Sequence, residues 1–148
     1  MTAFGSLLAA TDFSEDARRA CLRAAQLAKA RGAQLTLLHV VEFIPVDPAG
    51  EALLPPPVNL EEELVASAEQ RLQALADRLG IPNAARRIEI GTIKSEIVRI
   101  ANEIGADLIV LGGYERHGLA LLLGSTESSI LNAAPCDVLA VRLNPLDN

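Results

Sequence analysis

The chain has 148 residues, of which 50% are apolar and only 3% aromatic, and its formal charge is −6. That length is typical of one domain, and the core must be built mainly from Leu, Ile, Val and Ala. An acidic chain lacks the basic surface that nucleic acids and anionic membranes attract, so neither is an expected partner. The sequence therefore predicts one domain over residues 1–148.

Nothing in the sequence resembles a targeting segment. The first residues carry no basic region, and the longest apolar run, residues 35–41, is far shorter than the roughly 20 residues of a membrane helix. We therefore expect a cytoplasmic protein. Cys21 and Cys136 are too few for a disulfide framework and match no metal motif, so no metal site is expected.

The first half of the chain predicts two strands around one helix. Residues 6–10 are apolar and indicate a strand, and residues 11–14 indicate a turn. Small residues then recur at i, i+3, i+4 and i+7, which predicts a helix capped by Ser14 and ended by Gly32. Residues 34–41 indicate a second strand.

A long loop is predicted next, over residues 42–59. The segment contains five prolines, which are unsuited to helix interiors and central strands. A loop of this length in a small domain is either a binding segment or a plain connector, and both interpretations stay open.

The second half predicts three further strands, each preceded by a helix. Apolar spacing indicates helices over residues 61–79, 93–104 and 125–134, the first of them with an acidic N-terminus at residues 61–63, and apolar runs indicate strands at 87–90, 107–111 and 137–143. Apolar strands that alternate with helices form a parallel sheet covered on both faces. Ligands of such sheets lie at the carboxyl ends of the strands, here residues 11–14, 40–43 and 112 onward.

The segment after the fourth predicted strand has features of a phosphate site. Gly112 and Gly113 leave the strand, and Gly124, Ser125 and Thr126 open the last predicted helix. Glycines let backbone N–H groups approach an anion, and a helix N-terminus supplies free donors. The segment is not a Walker A loop, because no Lys precedes the hydroxyl residues. The alternative is that the glycines form a turn and Ser125 caps a helix.

Four segments together resemble the universal stress protein family. They are residues 10–15 (ATDFSE), 37–40 (LLHV), 107–112 (DLIVLG) and 118–126 (GLALLLGST), the last continuing to 135–141 (PCDVLAV). The resemblance implies a Rossmann-like α/β fold with an open five-stranded parallel sheet of order 3-2-1-4-5. It also implies homodimers paired through the last strand, with the interface at Val138, Leu139, Ala140, Val141 and Arg142.

Members of that family that bind ATP resemble the pattern Gly-x2-Gly-x9-Gly-Ser/Thr. Gly112 matches its first glycine, whereas Glu115 occupies the second glycine position, and eight residues separate Glu115 from Gly124. This shortened loop resembles the branch of the family that does not bind ATP. For a nucleotide-binding member, the resemblance implies contacts from Asp12, Val40, Leu111, Gly112, Gly124, Ser125 and Thr126.

No catalytic residue is expected, because neither a Ser–His–Asp arrangement nor a pair of carboxylates meets near the predicted site. His39 is predicted to be a hydrogen-bonded core residue. The first hypothesis is a non-catalytic dimeric binding or regulatory module of the stress response, with an unidentified protein partner. The second is a switch that binds ATP or AMP. The third is a weak ATP hydrolase that uses Arg116 or His117.

Overall fold

The computed structural model describes residues 5–42, 60–112 and 130–141. Its elements are β1 (Ser6–Ala10), α1 (Glu15–Arg31), β2 (Gln34–Val41), α2 (Leu60–Arg78), β3 (Ala85–Ile90), α3 (Ile93–Ile104), β4 (Leu108–Gly112) and β5 (Asp137–Val141). Residues 130–133 are also helical. The five strands form one parallel sheet in the order β3-β2-β1-β4-β5. The predicted fold class and strand order are therefore confirmed.

Strand and helix positions follow the sequence prediction closely. β1, β2 and α3 have the predicted bounds, and β4 is displaced by one residue from 107–111. α2 begins at Leu60, and its first turn contains the acidic run 61–63 that was predicted as the helix N-terminus. Residues 43–59 of the predicted loop, 125–129 of the last predicted helix, and 142–143 of the last predicted strand lie outside the described residues.

Helix α1 is held at both ends by the predicted residues. The Ser14 hydroxyl accepts a hydrogen bond from the Ala17 N–H at 3.2 Å, and Gly32 ends the helix in the left-handed conformation, with φ of 66°. Glycine adopts the left-handed conformation without steric strain, because it has no Cβ. The small residues Ala20 and Ala24 are fully buried, so α1 lies close against the sheet.

The core has one layer on each face of the sheet. On one face, α1 and α2 cover residues such as Leu7, Leu37 and Val110, and Leu72 of α2 is fully buried there. On the other face, α3 and Ile130 cover residues such as Leu38 and Ile109. Alternate residues of each strand therefore enter different layers, as the strand period of two requires.

Asp107, which the sequence prediction placed in the fourth strand, instead joins β4 to the start of β1. Its Oδ2 atom accepts hydrogen bonds from the Gly5 N–H at 2.8 Å and the Ser6 N–H at 3.0 Å. The Asp107 N–H in turn donates to the Ser6 carbonyl at 2.8 Å. These bonds fix the neighbouring strands β1 and β4 in register at their amino ends.

The two edge strands differ in chemical character. On β3, Arg87 forms ion pairs with Glu89 at 2.8 Å and with Glu103 of α3 at 2.7 Å. Arg99 of α3 reaches Glu89 at 2.8 Å and thereby completes a charged network. β5 is mainly apolar, with a run of four apolar residues over 138–141. Charged side chains discourage strand pairing at an edge, whereas an apolar edge favours it.

Candidate functional site at the carboxyl edge of the sheet

The strands β2, β1 and β4 are neighbours, and because they are parallel their carboxyl ends meet at one edge of the sheet. Ala9 is aligned with Leu37 on one side and with Val110 on the other. The register therefore brings together the residues that follow β1, the end of β2 and the end of β4. Parallel α/β sheets bind ligands at this edge.

The β1–α1 turn is organised by two of its own side chains. The Thr11 hydroxyl accepts a hydrogen bond from the Phe13 N–H at 2.9 Å, and Asp12 Oδ1 accepts one from the Ser14 N–H at 2.9 Å. Such side-chain bonds to a backbone two residues ahead are typical of tight turns. Phe13 adopts a φ of 66°, which is an unusual conformation for a residue with a Cβ.

Asp12 has both a structural role and a free oxygen. The side chain is exposed, and within the described residues its Oδ2 atom makes no hydrogen bond. The turn interpretation of Asp12 and the ligand interpretation are therefore compatible, because they use different oxygens of one carboxylate.

His39 is fixed by the same turn. Its Nδ1 lies 2.8 Å from the Thr11 carbonyl oxygen, so Nδ1 carries the proton and donates. The predicted hydrogen-bonded role is confirmed, although the residue is half-buried rather than fully enclosed. Its ring centroid lies 4.5 Å from that of Phe13, and the guanidinium carbon of Arg71 lies 4.3 Å from the Phe13 centroid. These contacts of Phe13 with His39 and Arg71 were not predicted, because nothing in the sequence spacing brings α2 to the turn.

Gly112 is required by packing. A Cβ at this position would lie 2.9 Å from the Asp16 carbonyl oxygen, 3.0 Å from the Asp16 carbonyl carbon and 3.1 Å from Ala17 Cα. All three atoms belong to the backbone of α1, so no side-chain rotation relieves the contact. The glycine that the sequence analysis assigned to a phosphate loop therefore also lets the first turn of α1 pack on β4.

Val40 and Leu111, two further predicted contacts, are buried in the layer beneath α3, with 9% and 5% of their surface exposed. Their side chains form part of the core under the edge, and a ligand at the edge would meet mainly their backbone. The remaining predicted contacts, Gly124, Ser125 and Thr126, lie outside the described residues, as do Glu115, Arg116 and His117.

Strand β5 contains four of the predicted dimer contacts, Val138, Leu139, Ala140 and Val141. Of these, Ala140 is exposed. Arg142 lies outside the described residues.

Neither cysteine has the properties of a reactive thiol. Cys21 is fully buried in α1, and burial raises the pKa of its thiol to about 12, although a hydrogen bond to Thr11 opposes the rise. Burial, together with the charges of Asp137 and Asp107, also raises the pKa of Cys136. A thiol with a raised pKa is a poor nucleophile, because the thiolate is the reactive form.

Over residues 5–42, 60–112 and 130–141, no group of three or more His, Cys, Asp or Glu side chains is arranged to hold a metal ion. Within these same ranges, no helix combines the length and the apolar character needed to cross a bilayer.

Comparison with known proteins agrees with the resemblance seen in the sequence. The model of the Universal stress protein family matches residues 3–142. Universal stress protein A homolog 1 of Coxiella burnetii is 38% identical over 135 residues, which cover 91% of this chain and 94% of the relative. Homolog 2 of the same organism is 38% identical over 121 residues, with 82% of each chain covered.

Solved structures share the fold. A universal stress protein from Lactobacillus plantarum has a TM-score of 0.69 at 31% identity, with 93% of this chain and 97% of that chain covered. A universal stress protein solved in complex with cAMP has a TM-score of 0.71 at 24% identity, with 95% and 98% covered. At that lower identity the likeness supports the fold alone.

Proposed function

Since this chain belongs to the universal stress protein family, we propose that it is a dimeric binding module that regulates a partner protein in the stress response and performs no turnover. The observation that carries the proposal is that the polar groups at the carboxyl edge of the sheet form hydrogen bonds to the backbone. The Thr11 hydroxyl, one Asp12 oxygen and His39 Nδ1 are each engaged in a hydrogen bond to the backbone. These groups shape a surface, and the bonds leave none of the three arranged as an activated nucleophile and its base.

The dimer interface is proposed at β5. This strand lies at the edge of the sheet and is apolar, whereas the opposite edge, β3, carries an ion-pair network. Two copies of β5 related by a two-fold axis would continue the sheet and cover this edge.

The dimer is tested by a matched pair of substitutions. Ala140→Lys adds a charge at an exposed position of β5, and Ala85→Lys adds the same charge at an exposed position of β3. A two-fold axis at β5 would bring the two introduced ammonium groups close together, so only Ala140→Lys should give monomers in sedimentation equilibrium. Val141→Pro should act in the same direction, because proline removes a backbone donor. A dimer that survives Ala140→Lys but is lost with Ala85→Lys would place the interface elsewhere.

A second candidate function is the binding of ATP or AMP. It is favoured by the free Asp12 Oδ2, an acceptor suited to ribose hydroxyls, at the edge where β1, β2 and β4 end. Native mass spectrometry of freshly purified protein tests it. A co-purified nucleotide mass that disappears with Asp12→Asn and with Gly124→Glu supports the second candidate, and an unliganded spectrum with no binding of added ATP opposes it.

Hydrolysis of ATP is tested separately, because binding does not imply turnover. The proposed function predicts no steady-state phosphate release above a buffer control. Release that persists through repeated purification and is lost with His117→Ala would replace the binding module with a weak hydrolase.

A further inference from the structure

A cleft of about 280 Å³ lies between the first turn of α1 and the second half of α2. Three arginines line it, Arg18 from α1 and Arg71 and Arg78 from α2, together with Phe13 and Leu75. We call this feature the arginine cleft. Its cationic lining contrasts with the formal charge of −6 on the whole chain.

Two of the arginines are available to a ligand. Within the described residues, Arg71 and Arg78 form no ion pair, and only Arg18 is paired, with Glu15. The pKa of Glu15 is lowered, chiefly by the hydrogen bond from Arg18 and further by charges that include Arg78. Among the ion pairs of the described residues, the three arginines that line the cleft are matched by the single carboxylate of Glu15, which leaves an excess of positive charge.

The positions of the α2 arginines follow from helix geometry. Arg71 and Arg78 are seven residues apart and so lie on one face of α2, with Leu75 between them. The guanidinium carbon of Arg71 lies 4.3 Å from the centroid of the Phe13 ring. This cation–π contact limits the freedom of the guanidinium group while its N–H groups, which lie in the guanidinium plane, remain able to bind an anion.

The arginine cleft adjoins the candidate site at the sheet edge, because Thr11 and Phe13 of the β1–α1 turn line it. Phe13 packs against the core layer beneath α1 and α2, whereas Val40 and Leu111 belong to the layer beneath α3. Gly112 contacts Asp16 and Ala17 in the first turn of α1, and the next residue of that helix, Arg18, lines the cleft.

We propose that the arginine cleft is a second ligand site, which binds the phosphate group of a small molecule. The guanidinium groups of Arg71 and Arg78, which form no ion pair with the described residues, match phosphate oxygens, since each can donate two parallel N–H bonds. A volume of about 280 Å³ is ample for one phosphate or diphosphate group.

Isothermal titration calorimetry tests the proposal by measuring the affinity of the full chain for inorganic phosphate and for diphosphate. The buffer contains chloride at low ionic strength. Arg71→Gln and Arg78→Gln should each weaken binding about tenfold, the loss expected when one charge-assisted pair is removed. Arg23→Gln removes the same charge from an exposed position of α1 outside the cleft and should change the affinity less than about twofold. Arg71→Lys keeps the charge but loses the planar fork, and its affinity should fall between those of the wild type and Arg71→Gln.

The source of the phosphate group is distinguished by parallel titrations with AMP and adenosine. Tighter binding of AMP than of inorganic phosphate, lost with Arg78→Gln, indicates an organic phosphate, and equal binding indicates the free anion. Phosphate binding that is weakened by Arg71→Gln in a protein that binds no nucleotide supports this proposal and opposes the nucleotide candidate, so failure of one and failure of the other remain distinguishable. Absence of saturable phosphate binding, or equal losses with Arg71→Gln and Arg23→Gln, would overturn the proposal.

Discussion

Replacing Gly112 with alanine separates its packing role from any ligand role. The new Cβ would lie 2.9–3.1 Å from backbone atoms of Asp16 and Ala17, whereas comfortable carbon contacts lie near 3.5–4.0 Å. The strand and α1 must therefore move apart by roughly 0.5 Å or more. α1 resists this movement, because the Ser14 cap and the small residues beneath it hold its first turn on the sheet.

Overpacking of this kind costs about 1–3 kcal/mol in the free energy of unfolding. For a chain of this size, each kcal/mol lowers Tm by roughly 2–4 °C. Urea denaturation followed by circular dichroism should show a lower midpoint with an unchanged slope, since the surface exposed on unfolding is the same. Gly112→Val should cost more than Gly112→Ala, because the contact becomes worse as the side chain grows.

Gly32→Ala is the matched control for the same added methyl group. A Cβ at Gly32 meets nothing within 4 Å, so its cost of about 1–2 kcal/mol comes from the left-handed backbone alone. Amide NMR shifts near Asp16 and Ala17 should move with Gly112→Ala and stay in place with Gly32→Ala. A Gly112→Ala protein of wild-type stability, with α1 shifts unchanged, would refute the packing role and leave a ligand role as the reason for the glycine.

Three further outcomes are expected. Asp107→Ala should lower the free energy of unfolding by about 1–3 kcal/mol, since the Gly5 and Ser6 N–H groups lose their acceptor. Asp107→Asn keeps an oxygen at this position and should lower it by less than half as much, so equal losses in urea denaturation would contradict this account. The pKa of Cys21 is about 12 in the folded state against 9.0 for an ordinary thiol, so its contribution to stability is complete below pH 9 and decreases by at most about 1.4 kcal/mol per unit as the pH rises towards 12. Cys21→Ala should have a flatter stability profile over that pH range, and parallel profiles would show that the thiol does not contribute. Leu72→Ala should lower the free energy of unfolding by about 2–5 kcal/mol, because the side chain is fully buried. A decrease below about 1 kcal/mol in urea denaturation would mean that neighbouring side chains under α2 fill the space.

Most of the secondary structure could be predicted from the sequence. Continuous apolar runs located β1 and β2, and apolar residues with a period of 3.6 located α1, with its cap at Ser14 and its stop at Gly32, and α3, because burial of an element leaves a pattern of apolar residues in the chain. The order of the strands came from the resemblance to a family, since periodicity carries no information about which strands are neighbours.

The contacts of the residues at the sheet edge follow from the packing of the helices on the sheet and could not be predicted from the sequence. Gly112 resembled a ligand glycine in the sequence, yet its closest neighbours are backbone atoms of α1, a contact between segments far apart in the chain. The contacts of Phe13, in the β1–α1 turn, with His39 of β2 and Arg71 of α2 likewise join segments far apart in the chain. Side-chain positions across such distances depend on how the helices pack on the sheet. A linear pattern therefore predicted a ligand site at the sheet edge but could not show that the arginines of α1 and α2 meet in one cleft.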